Sequence, residues 1–142
     1  ANEAEVVLFT GNLYARALAE NSALLDRLQL DPLRQHIGGQ CSGVLLMARL
    51  GLLADMPAST DGASKPWLAQ AGVRVSEASF SARGPIATAG GSLAAPCLAT
   101  WALWQRAGTA ATQAALMAAA PVGSKESHVQ RLMEEVRPFV VV

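Results

Sequence analysis

The amino-acid sequence predicts an α/β fold in which helices cover both faces of a mostly parallel β-sheet. The first observation is the order of the patterns. Short, continuous apolar runs alternate with helical patterns, as in proteins whose parallel strands are buried on both faces. The second observation is the composition: 51% of the 142 residues are hydrophobic and 15% are charged, which is enough apolar material for one core. The length is typical of a single domain.

Four short segments are predicted to be strands: 5–9, 35–40, 73–75 and 86–89. Each is apolar or rich in β-branched or small residues, and the Arg-Gly-Pro sequence at 83–85 predicts a turn before the last of them. Because doubly wound sheets usually carry five or more strands, four strands suggest that an N-terminal part of the domain lies outside the 142 residues.

Helices are predicted between and after these strands, with polar residues at several of the starting positions. The predicted helices begin at Ser22, Ser42, Trp67, Ser92, Thr109 and Ser124. The helix 42–50 is apolar on nearly every side and is followed by Gly51, so we expect it to be buried. The helices that begin at Ser92 and Thr109 are expected to end at Ala107 and before Pro121.

Charge, hydropathy and cysteine content exclude several classes of protein. The 11 basic and 11 acidic residues give no net charge, which argues against a nucleic-acid-binding surface. No apolar stretch reaches the ~18 residues of a membrane span, and the first residues lack the basic region of a signal peptide. Two cysteines are too few for a disulfide framework and no metal-binding spacing is present. We therefore expect a cytoplasmic protein with two thiols and no metal or other cofactor.

The segment 39–43, Gly-Gln-Cys-Ser-Gly, carries the strongest chemical signal in the sequence. A G-x-C-x-G motif between a strand and a helix is typical of a nucleophile elbow, here with a thiol as the nucleophile. The strained turn requires residues without side chains two positions before and after Cys41, and Gly39 and Gly43 meet that requirement. A helix N-terminus also favours the thiolate. The alternative is a cysteine that merely packs in the core.

Three segments together resemble the DJ-1/PfpI (ThiJ) superfamily, whose fold is shared with class I glutamine amidotransferases. The segment 38–53, G-G-Q-C-S-G-V-L-L-M-A-R-L-G-L-L, is similar to the elbow of the isonitrile hydratase branch. The segments 6–12 and 84–91 resemble the loop beside the thiol and the strand before the long helix. The resemblance implies a flavodoxin-like three-layer α/β/α sandwich formed by one domain over residues 1–142, without its N-terminal strand and helix. It also implies a homodimer and a small-molecule ligand or substrate, with no nucleic acid or membrane as partner.

The same resemblance implies an oxyanion site beside Cys41. Its donors would be the backbone N–H of Ser42 and that of Gly11 or Asn12. Many members have a histidine where residues 59–61 here read Ser-Thr-Asp, and an acidic residue upstream of the matched region. Asp61 is therefore a candidate base or water-orienting residue, and it is equally well explained as a turn residue.

Other candidate residues have both a structural and a functional interpretation. Trp67 and Gly90 are candidate pocket residues near the thiol, and Trp67 is equally well explained by packing. Trp101 and Trp104 lie three apart on a predicted helix and are expected in the core or at a dimer interface. Cys97, on the same helix, is expected in the core.

Two functions follow from the resemblance. The leading hypothesis is a cysteine-dependent hydratase or hydrolase of small molecules, similar to isonitrile hydratases, in which Cys41 adds to a carbon electrophile and Asp61 guides water. The alternative is a non-catalytic domain of the same fold that senses a ligand or responds to oxidation, as in regulators with an AraC-type DNA-binding domain. The missing histidine favours the alternative, and the intact elbow favours the enzyme.

Overall fold

The centre of the protein is a four-stranded, mostly parallel sheet. In this computed structural model, which describes residues 1–141, the strands are β1 (Val6–Phe9), β2 (His36–Gln40), β3 (Phe80–Arg83) and β4 (Ile86–Ala89). Their order is β1-β2-β4-β3. The pairs β1–β2 and β2–β4 are parallel, whereas β3 pairs with β4 in the antiparallel direction. The predicted mostly parallel sheet is confirmed.

Helices cover the sheet on both faces, and each set of helices has its own apolar core. The helices are α1 (Ala15–Ala19), α2 (Ser22–Leu25), α3 (Val44–Arg49), α4 (Lys65–Gln70), α5 (Ala95–Ala119) and α6 (Lys125–Val136). Buried residues of α1, α3 and α4 pack with Ile37 of β2. Buried residues of α5 and α6 pack with Ala87 of β4 in a second cluster. The predicted three-layer α/β/α sandwich is therefore confirmed.

One predicted strand is wrong, and another strand was not predicted. Residues 73–75 form no strand, and Val75 makes only an isolated bridge to Ala58. The edge position is instead taken by β3, which reads Phe-Ser-Ala-Arg and has no continuous apolar run. An edge strand tolerates such a sequence because one of its sides is not covered by a neighbouring strand. The turn predicted at 83–85 is confirmed, because Gly84 adopts φ +56° between β3 and β4.

The helices differ from the prediction mainly at their ends. The helix predicted from Ser22 has only four residues, and α1, which precedes it, was not predicted. Ser92 caps no helix through its side chain and begins a short 3₁₀ turn before α5. The predicted break between the helices 92–107 and 109–120 is confirmed, because α5 consists of two helical stretches that meet at Gly108, whose φ of +78° and ψ of 176° are not helical.

The three core candidates on α5 lie in the core between α5 and α6. Trp101 is fully buried, and Trp104 and Cys97 expose 8% and 3% of their surface. The Trp104 indole N–H donates to the hydroxyl of Thr109 at 2.9 Å, across the kink. The two tryptophans are therefore core residues, and their surfaces are not free for a dimer interface. Within residues 1–141, no helix has the length and hydropathy needed to cross a membrane.

Candidate active site

Cys41 occupies a strained turn at the carboxyl end of β2. Its φ is +52°, and it is the one residue other than glycine within 1–141 that has a left-handed φ. Such a conformation brings Cβ against the backbone and persists only where the surrounding structure holds it, as at a nucleophile elbow. Cys41 then begins the 3₁₀ turn Cys41–Gly43 that leads into α3. The predicted elbow geometry is confirmed, and the half-buried Cys41 remains a free thiol.

Three glycines leave the space that this turn occupies. A Cβ atom on Gly39 would lie 2.5 Å from Met47 Sδ, and one on Gly43 would overlap the carbonyl group of Phe9. Gly11, in the loop after β1, approaches the elbow so closely that its Cβ would lie 2.8 Å from Cys41 Cβ. The packing roles of Gly39 and Gly43 were predicted, whereas that of Gly11 depends on a contact between distant segments.

Two polar side chains that the sequence analysis missed bind the elbow directly. Gln40 Nε2 donates to Cys41 Sγ at 3.0 Å and to the carbonyl oxygen of Gly91 at 3.1 Å. Thr60 Oγ1 donates to the carbonyl oxygen of Cys41 at 2.8 Å. In the sequence, a polar glutamine follows Ile-Gly-Gly at the end of a buried strand. That change in polarity could have indicated a functional role for Gln40. Thr60 could have been identified from its position in the segment 59–61, where many members of the superfamily have a histidine.

The candidate oxyanion donors have different partners. Asn12 N–H donates to Ser42 Oγ at 3.2 Å, and Ser42 Oγ in turn donates to the carbonyl oxygen of Asn12 at 3.3 Å. The Asn12 side chain accepts a hydrogen bond from Tyr14 N–H. Because Asn12 N–H already has an acceptor, the amides of Gly11 and Ser42 are the better candidates. Ser42 N–H lies at the start of a helical segment, where amides lack intrahelical acceptors.

Asp61 lies beside the site but makes no hydrogen bond to Cys41. Its Oδ1 accepts from Ser64 N–H at 3.0 Å, which is the turn role considered for this residue. Its Oδ2 is buried without a hydrogen-bond partner among the described residues. The adjacent Thr60 makes the contact with Cys41. Thr60 therefore contacts the elbow, whereas the Asp61 carboxylate stabilises the turn that leads to Ser64.

The two candidate pocket residues lie in different places. Gly90 is close to the thiol site, because a Cβ atom on it would lie 2.7 Å from the carbonyl oxygen of Thr60. Trp67 instead lines a cavity of about 210 Å³ between α1, α3 and α4, and Cys41 is not among the lining residues. There the Arg16 guanidinium stacks on the indole, 3.3 Å from the ring centroid. These contacts place the Trp67 indole beside α1, and its place in the thiol pocket stays a prediction.

Neither His36 nor Cys97, the two groups whose pKa values are clearly shifted, supplies a base for Cys41. Burial, together with the nearby Arg106 guanidinium, lowers the pKa of His36. His36 begins β2 and Cys41 follows its end, so the two are about 16 Å apart along the strand. Burial, reinforced by the Glu135 carboxylate, raises the pKa of Cys97 to about 11. Residues 1–141 contain no group of three metal-ligating side chains.

Comparisons with solved structures identify the fold. A ThiJ/PfpI family protein from Pseudomonas syringae matches with a TM-score of 0.73 and 21% identity, over 98% of this chain and 63% of that chain. Drosophila melanogaster DJ-1beta matches with a TM-score of 0.63 and 19% identity, over 99% of this chain and 67% of that chain. A ThiJ/PfpI domain protein from Brachyspira murdochii matches with a TM-score of 0.56 and 21% identity, over 63% and 52%.

These likenesses confirm the fold that the sequence resemblance implied. The chain has the DJ-1/ThiJ/PfpI fold and spans about half to two thirds of the length of these solved proteins. No family model and no curated protein matches the sequence.

Proposed function

We propose that the protein is a cysteine-dependent hydratase or hydrolase of small carbon electrophiles, with Cys41 as its nucleophile. The observation that carries the proposal is the left-handed φ of Cys41 at the end of β2. A strained conformation of this kind costs on the order of 1–3 kcal/mol and is typical of functional sites. Open α/β sheets also bind their ligands at the carboxyl ends of the strands.

An isonitrile is the electrophile that the resemblance to the isonitrile hydratase branch favours. The Cys41 thiolate would form a bond from sulfur to the terminal carbon, which takes a proton from solvent to give a thioimidate. Water would then add to that carbon, and the carbon–sulfur bond would break to release the formamide and restore the thiolate. The amides of Ser42 and Gly11 would stabilise charge that develops on oxygen during hydrolysis. The resemblance makes Asp61 the candidate to orient the water, and a change in the segment 59–61 would have to bring its buried Oδ2 to that water.

Turnover of an alkyl isonitrile to its formamide tests this function. We expect the wild-type protein to form formamide and Cys41→Ala to lose at least roughly 1,000-fold in rate, because the covalent route is removed. Cys97→Ala is the matched control, since Cys97 is buried between α5 and α6. Product formation is measured by mass spectrometry. Equal rates for wild type and Cys41→Ala would contradict the proposal.

A ligand-sensing or redox-responsive domain of the same fold, as in AraC-type regulators, is the second candidate. The observation in its favour is that, within 1–141, the side-chain hydrogen bond to Cys41 Sγ comes from a carboxamide and from no titratable group. A sensor requires a reactive or ligand-binding thiol but no base. Loss of turnover with every electrophile, combined with selective oxidation of Cys41, would favour this function.

Both cysteines are free thiols, which supports a reducing compartment such as the cytoplasm.

We also propose that two copies of the chain form a homodimer. The support for this proposal is the resemblance to the DJ-1/PfpI superfamily, which implies a homodimer, together with the fold that the chain shares with DJ-1 and ThiJ/PfpI proteins. Sedimentation velocity at micromolar concentration should give the mass of a dimer. A monomer of 14.8 kDa under these conditions would contradict this.

A further inference from the structure

The carboxamide of Gln40 has its orientation fixed by a second contact. One atom of the carboxamide lies 3.1 Å from the carbonyl oxygen of Gly91 and 3.0 Å from Cys41 Sγ. Because a carbonyl oxygen only accepts hydrogen bonds, that atom must be the nitrogen rather than the oxygen. Gly91 lies two residues after the end of β4 and adopts φ +76°.

The sulfur atom is therefore the acceptor in this pair. A carboxamide nitrogen carries two protons, and one of them is directed to each acceptor. A thiol accepts hydrogen bonds weakly, whereas an anionic sulfur accepts a charge-assisted bond that is roughly twice as strong as a neutral one. The contact consequently stabilises the thiolate of Cys41 more than its thiol.

We propose that Gln40 is a catalytic residue that favours the thiolate form of Cys41 by donating a hydrogen bond to its sulfur. The neighbouring groups are otherwise occupied: Ser42 Oγ bonds with Asn12, and Asp61 Oδ1 accepts from Ser64. Gln40 transfers no proton, because a carboxamide does not titrate. It acts by donating a hydrogen bond to the reacting sulfur. This inference rests on the proposed function for its catalytic meaning, but the thiolate itself can be measured independently of turnover.

The test is the pH profile of Cys41 alkylation by iodoacetamide in the folded protein, together with the ultraviolet absorbance of the thiolate. Gln40→Glu keeps the size of the side chain but replaces the N–H donor with a negatively charged acceptor, and Gln40→Met removes the donor without adding charge. We expect both profiles to move to higher pH, that of Gln40→Glu further. At neutral pH the alkylation rate should fall by roughly 10-fold or more.

Thr60→Val is the matched control, because it removes a hydrogen bond to the Cys41 carbonyl oxygen and leaves the sulfur untouched. A general loosening of the elbow would change the alkylation rate of Thr60→Val at every pH without moving its profile. Circular dichroism establishes that each variant is folded, and Gln40→Met decides the question if Gln40→Glu does not fold. Profiles of Gln40→Met and Gln40→Glu that coincide with the wild-type profile would overturn the inference.

The alkylation test of Gln40 and the turnover test of the proposed function can fail independently of each other. If the profiles move but isonitriles are not turned over, Gln40 still stabilises the thiolate and the proposed reaction is wrong. If turnover depends on Cys41 but the Gln40 variants leave the profile unchanged, the reaction stands and the role of Gln40 is wrong.

Discussion

Gly43→Ala is expected to leave the protein unable to fold stably. A Cβ atom on Gly43 would overlap the carbonyl oxygen of Phe9 and lie 2.6 Å from its carbonyl carbon. Both are backbone atoms at the end of β1, so the clash cannot be relieved by rotating a side chain. The elbow would have to move away from β1, and the free energy of unfolding should fall by about 3 kcal/mol or more. That loss is a large part of the stability of an ordinary domain.

Gly62→Ala is the control for this substitution. A Cβ atom on Gly62 would meet nothing within 4 Å, and its φ is not left-handed. Its free energy of unfolding, measured in urea, should stay within about 0.5 kcal/mol of the wild-type value. Matching midpoints for Gly43→Ala and Gly62→Ala would show that the elbow and β1 do not approach as closely as described.

Trp101→Ala is expected to cost about 3–5 kcal/mol in the free energy of unfolding, as for other large core side chains. Trp101 has no exposed surface, and its ring packs edge-on against His36 with the ring centroids 5.6 Å apart. Its indole N–H has no hydrogen-bond partner among the described residues. The loss therefore comes from packing between α5 and the sheet.

Trp67→Ala provides the comparison in the same urea titrations. Trp67 exposes 37% of its surface, and its Arg16 stacking contributes about 0.5–1 kcal/mol at an exposed site. We expect a clearly smaller change in its midpoint than for Trp101→Ala, with similar m-values for both. Equal destabilisation by the two substitutions would show that Trp101 is not the central core residue between α5 and the sheet.

The layers of the fold could be predicted because local signals and tertiary environment agree there. The strands β2 and β4 are buried as their composition indicates, and the apolar surface of α3 lies in the core. The apolar run of β1 is only half-buried, and its Leu8 is exposed. The edge strand β3 could not be predicted from its Phe-Ser-Ala-Arg sequence. The turn at Gly84 was predicted, but the pairing of β3 with the neighbouring β4 is not described by any local pattern in β3 itself.

The sequence predicts the turn that holds Cys41, but it does not predict the hydrogen bonds that other residues make to that turn. The spacing of Gly39, Cys41 and Gly43 predicts the elbow because that turn has a strict steric requirement. The contacts of Gln40 with Gly91 and of Thr60 with Cys41 join residues 51 and 19 positions apart. Such contacts depend on how the strand ends meet, and a single sequence does not specify them.

We propose that the elbow presents Cys41 as an accessible, reactive thiol, whereas Cys97 lies in the core. Iodoacetamide labelling of both thiols in the native protein across pH, measured by peptide mass spectrometry, tests it most directly. Cys41→Ser identifies the Cys41 signal, and labelling in urea should make the two rates converge.

Near neutral pH, Cys41 should be labelled at least roughly 100-fold faster than Cys97. Cys97 exposes 3% of its surface and its thiol has a pKa of about 11, so it should react only as the pH approaches that value or the protein unfolds. Equal rates in the native protein, or faster labelling of Cys97, would contradict the account.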